Sequence, residues 1–130
     1  MRKQYHLRTI GSDTHIWDVH KLVDASADLP VHDIPITDIS EIDENWWYQE
    51  PGSVPTPVSI ARHIRLVQQA DLTYPIILCA KGRLMDGMHR VVKALSENHK
   101  TIRAVQFQVT PPYDFRNVLL GDLPYPDEQP

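Results

Sequence analysis

The residues best suited to chemistry in this 130-residue chain are consecutive: Asp86, Gly87, Met88, His89 and Arg90. A short apolar run ends at Asp86, and a helix is predicted to begin after Gly87. The first turn of a helix leaves main-chain N–H groups unpaired and carries partial positive charge. His89 and Arg90 add two donor or cationic side chains nearby. The pattern predicts a binding site for a phosphate-type anion.

A structural alternative explains the same residues without a ligand. Asp86 would cap the helix, His89 would lie at the surface, and Arg90 would pair with a nearby carboxylate. Taken alone, the five residues favour this alternative. The order of the predicted helices and strands around these residues makes the anion-binding site the preferred interpretation.

Apolar spacing and capping residues predict three helices. They are expected over residues 18–27, 57–72 and 88–98, and Asp18 can cap the first. Thr56 is the expected N-cap of the second helix, with Pro57 at its first position. Ile60, Ile64 and Val67 are its predicted core stripe. Met88, Val91, Val92 and Leu95 form the predicted apolar face of the third helix.

Strands are predicted between and around these helices. A short one is expected within residues 1–14 before a turn at Gly11, and an edge or irregular strand over residues 31–39, which contain Pro35. Residues 76–78 are apolar throughout, which is typical of a central buried strand. A hairpin turn at 80–83 should return the chain through a short strand at 84–86. Residues 101–109 alternate as a strand, and the acidic, proline-rich segment from Gly121 is expected to be loosely held.

Composition limits the function classes. The apolar fraction of 42% and charged fraction of 23% are those of an ordinary globular domain. No apolar run approaches the roughly 20 residues of a membrane span, and no secretory signal is apparent, so a cytoplasmic protein is expected. Cys79 is the single cysteine and is expected to be a buried, inert thiol. The net charge of −4 argues against a dedicated DNA-binding protein.

The order of elements, with several specific residues, resembles the ParB/sulfiredoxin superfamily over about residues 31–109. The residues that carry the resemblance are Pro75-Ile76, Gly82, Asp86-Gly87, His89-Arg90, Ala94 and Thr101-Ile102. The resemblance implies a small α+β domain, in which helices pack on a mixed β-sheet. Residues 1–130 would form one such domain, with a core at about 31–109 and a proline-rich tail at 110–130.

The resemblance also implies a ligand. In this superfamily the corresponding helix start binds the phosphates of a nucleotide, and members include CTP-hydrolysing partition proteins, ATP-dependent sulfiredoxins and a free-serine kinase. ATP, ADP or CTP, with Mg²⁺, are therefore the expected ligands. The implied phosphate-binding residues are Gly87, Met88, His89 and Arg90, together with Arg62 and Arg65 from the preceding helix.

Several residues of this sequence differ from the superfamily's motifs, and these differences narrow the range of possible functions. Met88 occupies the position of the nucleophilic cysteine of sulfiredoxins, which argues against that chemistry. No segment after Val109 is long enough for the DNA-reading and dimerisation domains of partition proteins. A kinase-like site would use Asp86 as a base or Mg²⁺ ligand and a second acidic residue. That residue could be Asp38, Glu41, Asp43 or Glu44, of which we prefer Glu41.

Three functions therefore remain open. The first is a nucleotide-dependent phosphotransferase or NTP hydrolase. The second is a non-catalytic module that senses a nucleotide or another anion and meets a protein partner through the loop Trp46-Trp47-Tyr48. The third, a ParB-like DNA-binding or nuclease role, is disfavoured by the net charge. The aromatic loop is predicted to plug into the core, with a flap over a ligand as the alternative.

Overall fold

The computed structural model of this protein describes residues 4–124. Within them lie three α-helices and two β-sheets, so the predicted α+β class is confirmed. The four-stranded sheet contains β3 (His32–Pro35), β4 (Ile76–Leu78), β5 (Leu84–Asp86) and β6 (Thr101–Gln106), in the order β3-β6-β4-β5. Because β6 runs parallel to β4 while the other pairs are antiparallel, the sheet is mixed, as predicted.

The central strand divides the core into two layers. Ile76, Ile77 and Leu78 are all buried, which confirms the predicted central strand. Ile76 and Leu78 pack with Val91 of helix α3 (Met88–Ser96). Ile77 faces the opposite layer, which contains Trp17 and Cys79. Alternation of side chains along β4 therefore fixes α3 on one face and the N-terminal segment on the other.

A three-stranded sheet covers that second layer. It contains β1 (Tyr5–Ile10), β2 (Asp13–Asp18) and β7 (Phe115–Arg116), in the order β1-β2-β7. The turn at Gly11 was predicted, but β2 was not. Helix α1 (Val19–Ser26) follows, and the Asp18 carboxylate accepts a hydrogen bond from the N–H of His20, as expected of its N-cap.

The N-terminal and C-terminal segments belong to the same packed unit as residues 31–109. Trp17 is buried against the sheet, and β7 pairs with β2. Leu123 is buried, and the Tyr5 hydroxyl donates a hydrogen bond to the carbonyl of Pro124. The segment from Gly121 to Pro124 is therefore held in place, contrary to the expectation of a loose tail. Residues 125–130 of that tail lie outside the described residues.

Helix α2 (Pro57–Gln69) begins as predicted but turns a different face inward. The Thr56 hydroxyl accepts a hydrogen bond from the Ser59 N–H, and Pro57 occupies the first turn. The predicted core stripe was wrong for Ile60 and Ile64, which are 43% and 52% exposed, whereas Val67 is half-buried. The half-buried side is formed instead by Ser59, His63 and Val67. The reason is that α2 packs mainly against α3, beside the sheet, so only a narrow strip of it is covered.

The remaining differences are local. Residues 31–39 form only the short edge strand β3, followed by 3₁₀ turns at Ile36–Asp38 and Ser40–Asp43. Leu95 of α3 is exposed and Ala94 is buried in its place, so the buried face of α3 is rotated from the predicted one. In both cases the neighbouring element decided which apolar side chains are covered.

Candidate functional site

Gly87 joins β5 to α3 in a conformation that favours glycine. Its φ of 114° lies in the left-handed region, and it provides no side-chain cap for α3. A Cβ atom here would lie 2.6 Å from Cγ2 of Ile76, too close for real atoms. The predicted glycine turn is present, but the missing side chain makes room for the central strand. The helix start is thus pressed against β4, and its first-turn N–H groups have no cap from this residue.

Arg90 links the start of α3 to the segment before β4 through one ion pair and two hydrogen bonds. Its guanidinium lies 2.8 Å from Oδ2 of Asp86 and donates hydrogen bonds to the carbonyls of Tyr74, at 3.1 Å, and Pro75, at 2.6 Å. Burial raises the pKa of the Asp86 carboxyl, while the charge and hydrogen bond of Arg90 act in the opposite direction. The side chain predicted to bind phosphate therefore already has three protein partners. This arrangement matches the ion pair of the structural alternative.

His89 meets a residue that the sequence did not indicate as part of the site. Nε2 of His89 lies 2.9 Å from Nδ1 of His63 on α2. A hydrogen bond between two imidazoles needs one N–H donor and one lone-pair acceptor. The two outer nitrogens, Nδ1 of His89 and Nε2 of His63, face away from this bond. One neutral pair can therefore offer a donor and an acceptor, and gaining one proton makes both outer atoms donors.

Both imidazoles are held in the neutral form at neutral pH. Burial lowers the pKa of His89 to about 4, with further lowering by the His63 and Arg90 charges. Burial also lowers the pKa of His63. An anion beside the pair would oppose both shifts, because a nearby negative charge favours the protonated imidazole. The pair is therefore suited to take up a proton together with an anion.

Trp47 covers the histidine pair. Its indole stacks on His63 at a centroid distance of 4.1 Å and on His89 at 4.8 Å. The neighbouring Tyr48 hydroxyl is 2.8 Å from the hydroxyl of Ser59 on α2. Trp46 and Trp47 both pack against the core cluster as half-buried side chains. The prediction that this loop plugs into the core is thus supported.

Glu41 lies in the 3₁₀ turn Ser40–Asp43 and is 1% exposed. Its Oε2 is 3.1 Å from Nη2 of Arg83, which also lies 3.2 Å from Oε1 of Glu44. Within residues 4–124, neither carboxylate oxygen of Glu41 has a hydrogen-bond partner. The sequence suggested an acidic residue here, and its complete burial depends on the tertiary packing of Ile39 and Ile42 beside it.

The structure does not gather all the predicted phosphate-binding residues. The Met88 side chain is buried in the core, so only its main chain could meet a phosphate at the start of α3. Arg62 and Arg65 are exposed. Successive helix residues are about 100° apart, so Arg65 points some 200° away from His63, and Arg62 lies to one side. Arg62 is the nearer of the two to the histidine pair in angle.

Mg²⁺ fits Asp86 poorly. A cation there would have to displace the Arg90 guanidinium from a carboxylate that it contacts at 2.8 Å. Among the described residues, no group of three or more His, Cys, Asp or Glu side chains is arranged to hold a metal ion. The surroundings of Asp86 therefore do not support its expected role as a Mg²⁺ ligand.

No protein-family model, curated protein or solved structure matches this chain. Over the described range, none of the helices is both long and apolar enough to cross a membrane. The assignment of function therefore depends on the geometry of the site itself.

Proposed function

We propose that this protein binds a phosphate-bearing small molecule, in the first instance a nucleotide, at the start of α3. The observation that carries the proposal is the hydrogen-bonded pair of His63 and His89, placed at a helix start that Gly87 leaves without a side-chain cap. The pair supplies donors that can become cationic. The first turn of α3 supplies main-chain N–H groups and the positive end of the helix dipole.

Charge coupling supports an anionic ligand. Without an anion nearby, a protonated imidazole at this place would be a cation with no negative partner. The lowered pKa values of His63 and His89 reflect this cost. Binding of a phosphate would raise the pKa of the pair and draw in a proton. Affinity for phosphate is therefore expected to increase as the pH falls from 7.5 through the raised pKa of the phosphate-bound pair, and to stop increasing below the pKa of the free pair, which is about 4 for His89.

The proposal is one of binding. Transfer or hydrolysis of a phosphoryl group would also need a base and charge neutralisation near the reacting atoms. Asp86, the expected base, is engaged by Arg90. We therefore prefer the sensing or binding module to the phosphotransferase or NTP hydrolase. ATP, ADP and CTP remain the ligands to try, and a cytoplasmic location remains a prediction.

The test is a heteronuclear NMR titration of the full chain with ATP, ADP, CTP and inorganic phosphate, with and without Mg²⁺, at pH 6 and pH 7.5. We expect saturable shifts of the main-chain N–H groups of residues 87–90. His89→Ala should weaken binding about tenfold or more, the loss expected for one charge-assisted hydrogen bond. His99→Ala is the matched control, because His99 is exposed and pairs only with Glu97 in the described chain.

Two results would contradict the proposal. One is the absence of saturable shifts at residues 87–90 with every phosphate compound. The other is equal weakening by His89→Ala and His99→Ala, which would place the anion away from the histidine pair. Phosphorus NMR of the same samples reports any turnover, and release of phosphate by the wild type but not by Asp86→Asn would restore the enzymatic alternative.

A further inference from the structure

Trp47 lies over the hydrogen bond that joins His63 to His89. The three ring planes are within 23° of parallel, and the indole centroid is 4.1 Å from that of His63 and 4.8 Å from that of His89. Because the two imidazole centroids are 5.2 Å apart, these distances place the indole above the middle of the pair. One flat side chain therefore covers both imidazoles at once.

The two imidazoles meet edge to edge. Their centroids are 5.2 Å apart, and the bonded nitrogens are 2.9 Å apart. The difference equals the centre-to-corner distances of two five-membered rings, so both nitrogens lie on the line between the ring centres. A hydrogen bond is strongest when donor, hydrogen and acceptor are in line. The observed arrangement therefore suits a single proton held between His63 and His89.

The outer nitrogens of the pair, Nε2 of His63 and Nδ1 of His89, are accessible. Neither has a hydrogen-bond partner within residues 4–124, and neither is among the fully buried unpartnered atoms there. The outer nitrogen that lacks a hydrogen can therefore gain one. A second proton is costly, because it would set two N–H donors against each other across the 2.9 Å contact.

The charged groups around the pair also oppose a second proton. The positive charge of Arg90 acts on the pair through His89, and the Asp86 carboxylate is engaged by that same guanidinium. On α2, Arg62 lies to one side of the pair. From the loop, the Tyr48 ring meets the pair edge-on at a centroid distance of 5.8 Å. A doubly protonated pair would thus place two cations side by side next to a third.

We propose that Trp47 is a positioning residue that holds His63 and His89 in line, so that the pair takes up one proton as a single unit. The indole stacks on both rings, keeps water from the bond between them, and its face attracts the cation that one added proton creates. The site then carries a charge of zero or +1, and an anion draws in one proton. The link to anion binding rests on the proposed function, whereas the in-line bond and its shared proton do not.

The first test needs no ligand. In the full chain with ¹⁵N-labelled histidine at pH 7.5, we expect a scalar coupling between Nδ1 of His63 and Nε2 of His89, transmitted across the hydrogen bond. Trp47 also lines a cavity of about 240 Å³ between residues 41–48 and α3. Trp47→Ala should abolish the coupling, because removal of the indole opens a path for water from this cavity to the pair.

Two further variants separate the effect of the ring from that of the loop. Trp47→Phe keeps a flat ring that can stack on the imidazoles, so it should retain the coupling. Trp46→Ala is the matched control, because Trp46 lies in the same loop but stacks on His6. It should also retain the coupling.

The second test counts protons. The probe is sulfate, which resembles phosphate in shape but does not itself titrate between pH 5 and pH 8. Calorimetric titrations in two buffers of different ionisation enthalpy give the number of protons taken up with the anion. The wild type should take up more than zero and no more than one proton from pH 7.5 to pH 5.5, so its affinity should rise by at most about tenfold per pH unit.

Trp47→Ala should change this pH profile. Burial is the main cause of the lowered pKa values of His63 and His89, so exposure to water should return both towards about 6.5. At pH 5.5 the variant would already be protonated, and sulfate should draw in almost no further proton. Trp46→Ala should take up protons as the wild type does.

Three results would overturn the proposal: no coupling in the wild type, a proton uptake with sulfate that is zero throughout or exceeds one, or wild-type coupling in Trp47→Ala. If Trp47→Ala does not fold, Trp47→Leu decides in its place, because it fills the space with an apolar side chain that is not flat. If sulfate binds at no pH, the proposed anion site fails, and the coupling measurements alone decide whether Trp47 positions the pair.

Discussion

His63 and His89 are 26 residues apart in the chain, yet their ring nitrogens Nδ1 and Nε2 are separated by 2.9 Å. The contact joins α2 to the first turn of α3. Other contacts also link α2 to its neighbours: Lys93 Nζ of α3 donates to the carbonyls of Gln68 and Ala70, and the Tyr48 hydroxyl is 2.8 Å from that of Ser59. The candidate binding residues thus also hold α2 in place.

Stability is expected to fall as the pH is lowered from about 6.5 to 5. His6, His63 and His89 have lowered pKa values in the folded protein, about 3 for His6 and about 4 for His89. Below the unfolded pKa of about 6.5, the unfolded chain binds protons that the folded chain does not, so the folded state loses stability. Urea unfolding at several pH values should show a loss of a few kcal/mol.

The Asp86 carboxyl has the opposite effect on the pH dependence of stability: its contribution to the free energy of unfolding increases as the pH falls. Its pKa is raised by burial, so the folded state takes up this proton first as the pH falls. His89→Asn should flatten the pH dependence, because it removes one of the buried histidines whose pKa is lowered in the folded protein. A free energy of unfolding that stays constant from pH 7 to pH 5 in the wild type would contradict this prediction.

Gly87→Ala should destabilise the fold by about 2–4 kcal/mol, as a methyl group there combines a left-handed φ with overlap in a packed interior. The new Cβ would lie 2.6 Å from Ile76. The control is Gly121→Ala, which meets no atom within 4 Å and should change stability by less than about 0.5 kcal/mol. Urea unfolding measures both, and equal effects would show that the close approach to Ile76 is absent.

Arg90→Ala should destabilise the protein by about 2–4 kcal/mol, because it leaves a half-buried carboxylate and two carbonyl groups without their donor. Asp86→Asn in the same chain should recover part of the loss, since it removes the unpaired charge. Arg116→Ala breaks the more exposed pair with Asp13 and should cost no more than about 1 kcal/mol. If Arg90→Ala and Arg116→Ala lowered the free energy of unfolding by similar amounts, the contacts of Arg90 with Asp86, Tyr74 and Pro75 would not stabilise the fold as predicted.

Ile64→Ala should change the free energy of unfolding by less than about 0.5 kcal/mol, because the Ile64 side chain is about half exposed on α2. Ile76→Ala is the comparison and should cost about 2–5 kcal/mol, since that side chain is completely buried in β4. Thermal or urea unfolding of both variants tests the observed orientation of α2. A large loss in Ile64→Ala would restore the core stripe predicted from the sequence.

Local signals in the sequence predicted the elements near the site well. Thr56 and Pro57 marked the start of α2, and Gly87 marked the start of α3, since capping and turn preferences act within a few residues. The continuous apolar run at Ile76 likewise indicated a buried strand. The α+β class and the mixed sheet were predicted from the resemblance of these elements and residues to the ParB/sulfiredoxin superfamily, and both are present in the structure.

The missed features depend on contacts between distant residues. In β2, Ile16, Trp17 and Asp18 are buried in succession, so no period-two alternation marks the strand. On α2, the apolar spacing of Ile60 and Ile64 suggested a core face, but the neighbouring α3 and Trp47 instead selected the side that carries His63. The histidine pair could not be predicted because nothing in the sequence relates two residues on separate helices.

The Trp47 indole stacks on the histidine pair and also lines the cavity between residues 41–48 and α3. A ligand of the proposed anion site that moved this ring would therefore also change the shape of the cavity. Thermodynamic reciprocity would then require that a molecule bound in the cavity change the affinity for the anion by the same factor.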